Sequence, residues 1–145
     1  MHAKKKLSLA ESCTGGLLGH LITNSPGSSN YFMGGIVAYN DRVKIEMLGV
    51  PERLLKKFGA VSESVAKSMA KNVRRLFRAD LGISITGIAG PGGGTKKKPV
   101  GLVYIAIADS KHASCKKCQF FGTRRKIKSS AAHKALDLLR LKLIR

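Results

Sequence analysis

The run VGLVYIAIA, residues 100–108, restricts the fold of this chain more than any other segment. It is far shorter than the roughly 20 apolar residues that a membrane-spanning helix needs, so it does not predict a membrane segment. Because the run is apolar on both faces, it predicts a central strand that is covered on both sides. The remaining segments must therefore supply a sheet around this strand and helices above and below it.

The apolar patterns of the other segments predict the remaining elements. Further strands are predicted at residues 6–10, 31–39, 81–86 and 114–121, and helices are predicted from Leu17, at 41–48, at 51–58, after an N-cap at Ser62 and from Ile127. The resulting order, β-α-β-α-α-α-β-β-β-α, predicts an α/β fold with a mixed sheet between helical layers. We expect one domain over residues 1–145, which is long enough to bury a core without disulfides.

The charge of the chain is strongly positive. Lysine and arginine total 27 against 8 acidic residues, a net charge of +19, and a field of this sign attracts nucleic acid, anionic membranes or small phosphorylated ligands. The basic residues are dispersed in short clusters rather than gathered in a tail, and a basic surface without a specific partner is an equal alternative. The start of the chain lacks a hydrophobic signal core, so we expect a cytoplasmic protein.

The three cysteines do not predict a disulfide framework or a metal site. Cys115 and Cys118 form a C-x-x-C pair near His112. In a strand, residues three apart point to opposite faces and cannot bind one ion, and no second pair is present to complete a tetrahedron. We therefore expect neither a metal nor a cofactor.

Three turns rich in glycine, serine and threonine adjoin predicted strands: AESCTGG, PGSS and TGIAGPGGG. None matches a P-loop, a dinucleotide fingerprint or a nucleophile elbow. In an open α/β sheet, loops at strand ends gather at one edge, where ligands bind. Glycine allows backbone N–H groups to approach an anion closely. We expect the three turns to converge on one anion-binding pocket.

Further motifs, YFMGG, GAVSE and KPVG, lie between and after these turns. Together, and in this order, the motifs resemble the C-terminal domain of the CinA competence-damage family from about residue 9 to residue 124. Stand-alone versions of that domain are nicotinamide mononucleotide deamidases. The resemblance therefore implies hydrolysis of the carboxamide of nicotinamide mononucleotide to nicotinate mononucleotide and ammonia. The chain departs from the family pattern at Gly92, where GPDGG carries an acid. Only residues 1–6 of the given sequence precede the first predicted strand, where the family usually has an amphipathic helix and, in longer members, a large domain ahead of it.

The resemblance also implies the roles of individual residues. It places a catalytic serine at Ser29, with Tyr39 and Lys44 as its helper and base. The implied substrate-binding residues come from the first and third turns and from the segment after FFG: Ser12, Thr14, Gly15, Thr86, Gly87, Gly90, Gly93 and, for the phosphate, Arg124.

Physical chemistry sets conditions on these roles. A serine hydroxyl needs a base, and lysine serves as one only if burial or a nearby cation, such as Arg42, lowers its pKa. The alternatives are that Ser29 caps a loop and that Lys44 is a solvated helix residue. Glu11 either orients the site or caps its turn.

Other functions remain open at this level. The same fold could serve as a non-catalytic module that binds nucleotides or nucleic acid, or as a sensor that binds the mononucleotide without turnover. The sequence shows little aromatic interleaving and no recognisable nucleic-acid motif. The expected partners are the small-molecule substrate, a second copy of the chain in a homo-oligomer, with a dimer favoured, and nucleic acid through non-specific association. No membrane partner is expected.

Overall fold

The protein, described here as a computed structural model over residues 4–144, contains one five-stranded sheet. The strand order is β2-β1-β3-β4-β5. β1 runs parallel to both of its neighbours, whereas β4 is antiparallel to β3 and to β5. The strands are β1 Leu7–Glu11, β2 Phe32–Val37, β3 Leu81–Gly87, β4 Leu102–Ala108 and β5 Ala113–Gln119. The predicted mixed sheet is confirmed.

The apolar run 100–108 forms β4, which lies between β3 and β5. Val103, Ile105 and Ile107 belong to a core cluster on one face of the sheet, and Ala106 and Ala108 belong to a cluster on the other. All five side chains are buried. Burial on both faces explains why this segment lacks the polar alternation of a half-exposed strand.

The helices form a layer on each face of the sheet. α1 (Leu17–Thr23) and α5 (Arg124–Leu143) share one core cluster with the sheet. On the other face lie α2 (Asp41–Glu46), α3 (Glu52–Phe58) and α4 (Glu63–Leu76), around a second cluster. The predicted order of elements is confirmed, and so is the N-cap at Ser62, whose side chain accepts a hydrogen bond from Val65 N at 3.3 Å. α5 begins earlier than predicted because Thr123 caps it through Lys126 N.

The parallel strands set the position of the loops. β1, β2 and β3 point the same way, so the segments after Glu11, Val37 and Gly87 leave the sheet at one edge. Close packing of β1 against β2 requires a glycine, because a Cβ on Gly35 would lie 2.7 Å from Leu9 O. At Gly35 the close approach is therefore one of backbone to backbone.

Residues 4–144 contain neither a candidate membrane-spanning helix nor a candidate metal cluster. No helix in that range combines the length and apolar character needed to cross a bilayer. No group of three or more histidine, cysteine or acidic side chains there could hold a metal ion. Cys115 and Cys118 lie in β5 and belong to clusters on opposite faces of the sheet, as their spacing predicts.

Candidate active site

A polar cavity of about 270 Å³ opens at the edge where the parallel strands end. The ends of three strands with the segments that follow them, the connection between α3 and α4, and the first turn of α5 form its wall. The residues that line it and carry polar side chains are Ser12, Cys13, Tyr39, Asp41, Lys44, Thr86 and Arg124, joined by Gly87, Gly90, Gly92 and Gly93 of the glycine-rich loop. Ligands bind at this position in open α/β sheets.

Lys44 is the most unusual residue of the cavity, because its side chain is only 2 % exposed. Its ammonium lies 3.3 Å from Tyr39 O, to which it donates a hydrogen bond, and 3.6 Å from Asp41 Oδ1. Burial lowers the pKa of Lys44 below its ordinary value, and the exposed Asp41 carboxylate opposes this effect only in part. At a given pH, a larger fraction of Lys44 is therefore in the neutral amine form than for a solvated lysine.

Arg42, the nearby cation that was expected to help lower the pKa of Lys44, does not do so. Arg42 is exposed and its guanidinium lies 3.7 Å from Glu46 Oε2, one turn along α2. It does not contribute to the lowered pKa of Lys44, which comes from burial. This expectation was wrong because residues two apart on a helix do not face each other.

Ser12 follows β1 directly and lines the cavity together with Lys44. It is buried, with 7 % of its surface exposed, and its backbone N–H donates to Ile85 O at 2.9 Å. This bond continues the pairing of β1 with β3 and fixes the first residue of the turn. A serine hydroxyl and a buried lysine thus share one small cavity.

Ser29 does not reach this cavity. It lies in a 3₁₀ turn, Ser28–Asn30, that precedes β2 and sits beside the start of β1, where Leu7 N donates to Tyr31 O at 2.8 Å. The six residues of β2, at about 3.3 Å each, separate its two ends by roughly 16 Å. Within one copy of the chain, Ser29 thus does not line the cavity with Tyr39 and Lys44, and two of the three turns meet there. The catalytic role of Ser29 stays a prediction.

The residues of the first turn, AESCTGG, contact two parts of the structure: some line the cavity, and others contact the start of α1. Thr14 Oγ1 donates to Glu11 Oε1 at 2.7 Å, and neither Thr14 nor Gly15 lines the cavity. Glu11 accepts backbone N–H groups from Leu18 at 2.8 Å and Gly19 at 3.0 Å. Of the two roles considered for Glu11, the structure supports capping of α1, because these N–H groups have no partner inside the helix.

Cys13 lies in the cavity wall and was not predicted as a site residue. Burial raises the pKa of its thiol to about 11. The thiol is therefore protonated at neutral pH, and the nucleophilic thiolate is scarce.

Tyr39 links Lys44 to Arg124. Its carbonyl accepts from Lys44 Nζ, and its hydroxyl accepts from Arg124 Nη2 at 2.7 Å. Arg124 Nη1 also donates to Gly90 O at 2.6 Å, so the guanidinium holds the glycine-rich loop against the tyrosine. Thr86 is buried and its hydroxyl donates to Ala60 O at 2.9 Å. The structure brings Tyr39, Lys44, Thr86 and Arg124 together as predicted.

Asp41 is a site residue that the sequence prediction missed. It stands three residues before Lys44 in α2, and this i, i+3 spacing of opposite charges could have indicated the pair. Its carboxylate is mostly exposed, whereas the lysine is not.

A second cavity, of about 290 Å³, lies at the opposite edge between α1 and α5. Its wall is mainly leucine and isoleucine, with Lys5 and Arg140 as its charged members. It holds no nucleophile beside a buried base, so the polar cavity is the candidate active site.

The fold and this cavity define an α/β domain with a buried lysine at the carboxyl edge of its parallel strands. Residues 1–143 match the model of the CinA C-terminal domain. The chain belongs to the CinA C-terminal domain family.

Similar proteins support this assignment. A CinA-like protein of Endomicrobium trichonymphae is 53 % identical over 141 residues, which are 97 % of this chain and 33 % of that protein. A CinA-like protein of Gloeothece citriformis is 56 % identical and is covered to 34 %. The chain thus spans about a third of the length of these curated relatives.

Solved structures agree on the fold. The crystal structure of a competence/damage inducible protein from Agrobacterium tumefaciens has a TM-score of 0.93 at 38 % identity, covering 95 % of this chain and 85 % of that one. The competence damage-inducible protein A from Klebsiella pneumoniae has a TM-score of 0.94 at 31 % identity, covering 98 % and 88 %.

Proposed function

We propose that this domain hydrolyses the carboxamide of nicotinamide mononucleotide, with Ser12 as the nucleophile and Lys44 as its base. The observation that carries the proposal is the buried Lys44 in the same cavity as Ser12. The substrate comes from the family resemblance, and Arg124 at the cavity wall supplies a cation suited to its phosphate.

The proposed reaction uses two half-reactions. Ser12 Oγ attacks the carboxamide carbon and gives its proton to the neutral amine of Lys44. Collapse of the tetrahedral intermediate breaks the C–N bond, and the ammonium of Lys44 returns the proton to the leaving ammonia. Water then attacks the ester, with Lys44 again as base, and releases nicotinate mononucleotide and free Ser12. In this proposal, backbone N–H groups of the glycine-rich loop, which lines the cavity, donate to the oxyanion.

Ser12 is favoured over the other hydroxyl and thiol groups for physical reasons. The Cys13 thiol is held protonated by burial, and the Thr86 hydroxyl already donates to Ala60 O. Ser29 lies near the opposite edge of the sheet. Among the serine and threonine hydroxyls that line the cavity, Ser12 is therefore the proposed nucleophile.

The test is ammonia release from nicotinamide mononucleotide by the purified chain and three variants. We expect Ser12→Ala to lower turnover by about 10³-fold or more, because no other group replaces the nucleophile. Cys13→Ala, in the same turn, and Ser29→Ala, the serine near the other edge, are matched controls that should retain turnover. Loss of activity in Ser29→Ala with a normal Ser12→Ala enzyme would reverse the assignment.

A wild-type chain that binds the mononucleotide but releases no ammonia would instead identify the domain as the sensor considered above. Binding is measured by isothermal titration calorimetry on the same preparations. This arm separates failure of the reaction from failure of the substrate assignment.

A further inference from the structure

A small basic hollow lies on the edge of the sheet opposite the candidate active site. Its volume is about 160 Å³, and the second half of α4 and the turn between β4 and β5 form its wall. The end of β4 pairs with the start of β3, at Gly82 and Ala108, whereas the candidate active site begins where β3 ends. The charged and titratable residues that line the hollow are Lys71, Arg74, Arg75, Asp109, Lys111 and His112.

The lysines and arginines of this hollow have no acidic partner in the part of the chain that the structure describes. Among residues 4–144, no carboxylate lies within 4.0 Å of the charged nitrogens of its two lysines and two arginines. Asp109 is the acid in the wall, but its Oδ1 accepts from the backbone N–H groups of Lys111 at 2.8 Å and His112 at 2.7 Å. Its Oδ2 lies 3.0 Å from Lys142 Nζ, which belongs to α5. The charge of Asp109 is thus already compensated.

The arrangement of the cations on α4 is unfavourable without a ligand. Lys71, Arg74 and Arg75 follow each other at i, i+3 and i+4, so three like charges face the same side of the helix. Arg74 is half-buried: its Nη1 donates to Ala79 O at 3.3 Å, and its buried Nε has no hydrogen-bond partner. An anion in the hollow would compensate charges that the protein leaves uncompensated.

We propose that this hollow binds a dianionic phosphate group, either inorganic phosphate or the terminal phosphate of a phosphomonoester. Guanidinium groups match phosphate oxygens in pairs, and lysines add charge without a fixed geometry. The hollow is smaller than the roughly 300–1,000 Å³ of sites that enclose whole ligands, so it admits the phosphate and leaves the rest of a ligand outside. Four uncompensated cations match a dianion better than the single charge of a phosphodiester.

The first experiment locates the binding of inorganic phosphate on the full chain by NMR titration at constant ionic strength. We expect the largest shifts at the backbone amides of residues 110–112 and at the Arg74 Nε–H. Shifts confined to the glycine-rich loop at 87–93 would mean that phosphate binds only at the candidate active site, and they would overturn the proposal.

The second experiment separates a site from the overall charge. Arg75→Gln combined with Lys111→Gln removes two exposed cations from the hollow, and Lys56→Gln combined with Lys57→Gln removes two from α3 as the matched control. We expect at least a tenfold loss of phosphate affinity in the first protein and less than a twofold change in the second. Equal losses would show a general charge effect and overturn the site. Thermal melting verifies that both proteins fold, and Lys111→Gln alone is the fallback variant.

A third arm tests the ligand class. A single-stranded dodecanucleotide without a terminal phosphate carries only diesters, and we expect it to shift residues 110–112 far less than inorganic phosphate does. If the oligonucleotide shifts the signals of residues 110–112 as strongly at equal phosphate concentration, the hollow binds the phosphodiester backbone of nucleic acid. The proposal of a dianion site is then overturned.

Discussion

Lys44 shows how a single residue can be costly for the fold and useful for chemistry. Removing an ammonium from water is unfavourable, and in this cavity one exposed carboxylate and one carbonyl compensate it. Because burial disfavours the charged form, it lowers the pKa of Lys44. A strongly cationic chain that buries a lysine in the same cavity as a serine retains a group whose neutral form can accept a proton.

The first prediction concerns the activity of Lys44 variants. Lys44→Arg keeps the charge but cannot deprotonate, so we expect it to lose turnover about as fully as Lys44→Met, by roughly 10³-fold or more, while both still bind nicotinamide mononucleotide. In the wild-type chain, kcat should rise with pH to a plateau, with a midpoint below the ordinary lysine value of about 10.4. Near-normal turnover in Lys44→Arg would show that the lysine only positions the substrate.

The second prediction concerns stability and pH. Between the lowered native pKa of Lys44 and the unfolded value of about 10.4, the unfolded state binds the proton and the native state does not, so stability rises with pH. Below the native pKa the cost of the buried ammonium is fully present. Lys44→Met should therefore be more stable than wild type near neutral pH, and the difference should shrink as pH rises through that window. Urea unfolding of both proteins measures it, and a difference independent of pH would indicate packing instead.

The third prediction concerns Arg124. If its guanidinium holds the substrate phosphate, Arg124→Ala should weaken binding of nicotinamide mononucleotide by roughly 1.5–3 kcal/mol, the value of a charged hydrogen bond. Nicotinamide riboside lacks the phosphate and should bind both proteins equally. Because Arg124 also contacts Gly90 O and the Tyr39 hydroxyl, the riboside detects any collapse of the loop. Equal losses for both ligands in calorimetry would refute phosphate recognition.

At the scale of elements, the sequence predicts more about the fold than about the site. The cap at Ser62 and the doubly apolar β4 each follow from local patterns, and both are confirmed. The position of Ser29 depends on chain direction: AESCTGG and TGIAGPGGG follow their strands, whereas PGSS precedes one. In a parallel arrangement that difference places a turn at the opposite edge. Attention to chain direction could have predicted that Ser29 lies at the other edge of its own sheet.

Other properties of the site depend on tertiary packing. The burial of Lys44 arises from the second core cluster and the loops around it, which no local pattern reports. The division of labour between Ser12, which lines the cavity, and Thr14, which contacts Glu11, depends on the turn of the backbone between them.

The glycine-rich loop carries the fourth prediction. Gly92 has no atom within 4 Å of an added Cβ and no positive φ, so Gly92→Ala should raise the free energy of unfolding by about 0.4–1 kcal/mol, because alanine lowers the conformational entropy of the unfolded chain. Gly90 is the matched control, because its φ is 78° and an added Cβ would contact Val100. Gly90→Ala should lower the free energy of unfolding by about 1–2 kcal/mol or more. Chemical denaturation measures both, and a destabilised Gly92→Ala would mean that this loop requires glycine throughout.

At the scale of the whole molecule, the surface combines excess positive charge with exposed apolar side chains. Phe121 is 77 % and Ile144 is 69 % exposed, and the apolar cavity between α1 and α5 lies on the same side of the sheet as those two helices. A homodimer stays a prediction, to be measured by analytical ultracentrifugation at several concentrations. Self-association must overcome repulsion between two chains of charge +19, so salt should favour it.

The last prediction concerns nucleic acid, where salt acts in the opposite direction. A chain with 27 lysines and arginines against 8 acids attracts DNA through released counterions, without any need for a reading motif. If that is the whole interaction, the dissociation constant at physiological salt should be about 10⁻⁴–10⁻⁶ M for any sequence and should weaken steeply with added salt.

Fluorescence anisotropy on two unrelated duplexes from 50 to 200 mM salt measures this prediction. Ser12→Ala and Lys44→Met should leave the curves unchanged, because both residues are buried. Tight binding at physiological salt, or a clear preference for one duplex, would favour the nucleic-acid module over the amidohydrolase. Weak binding without preference would leave the buried Lys44 and its cavity as the functional part of the domain, with the surface charge as a general attraction for anions.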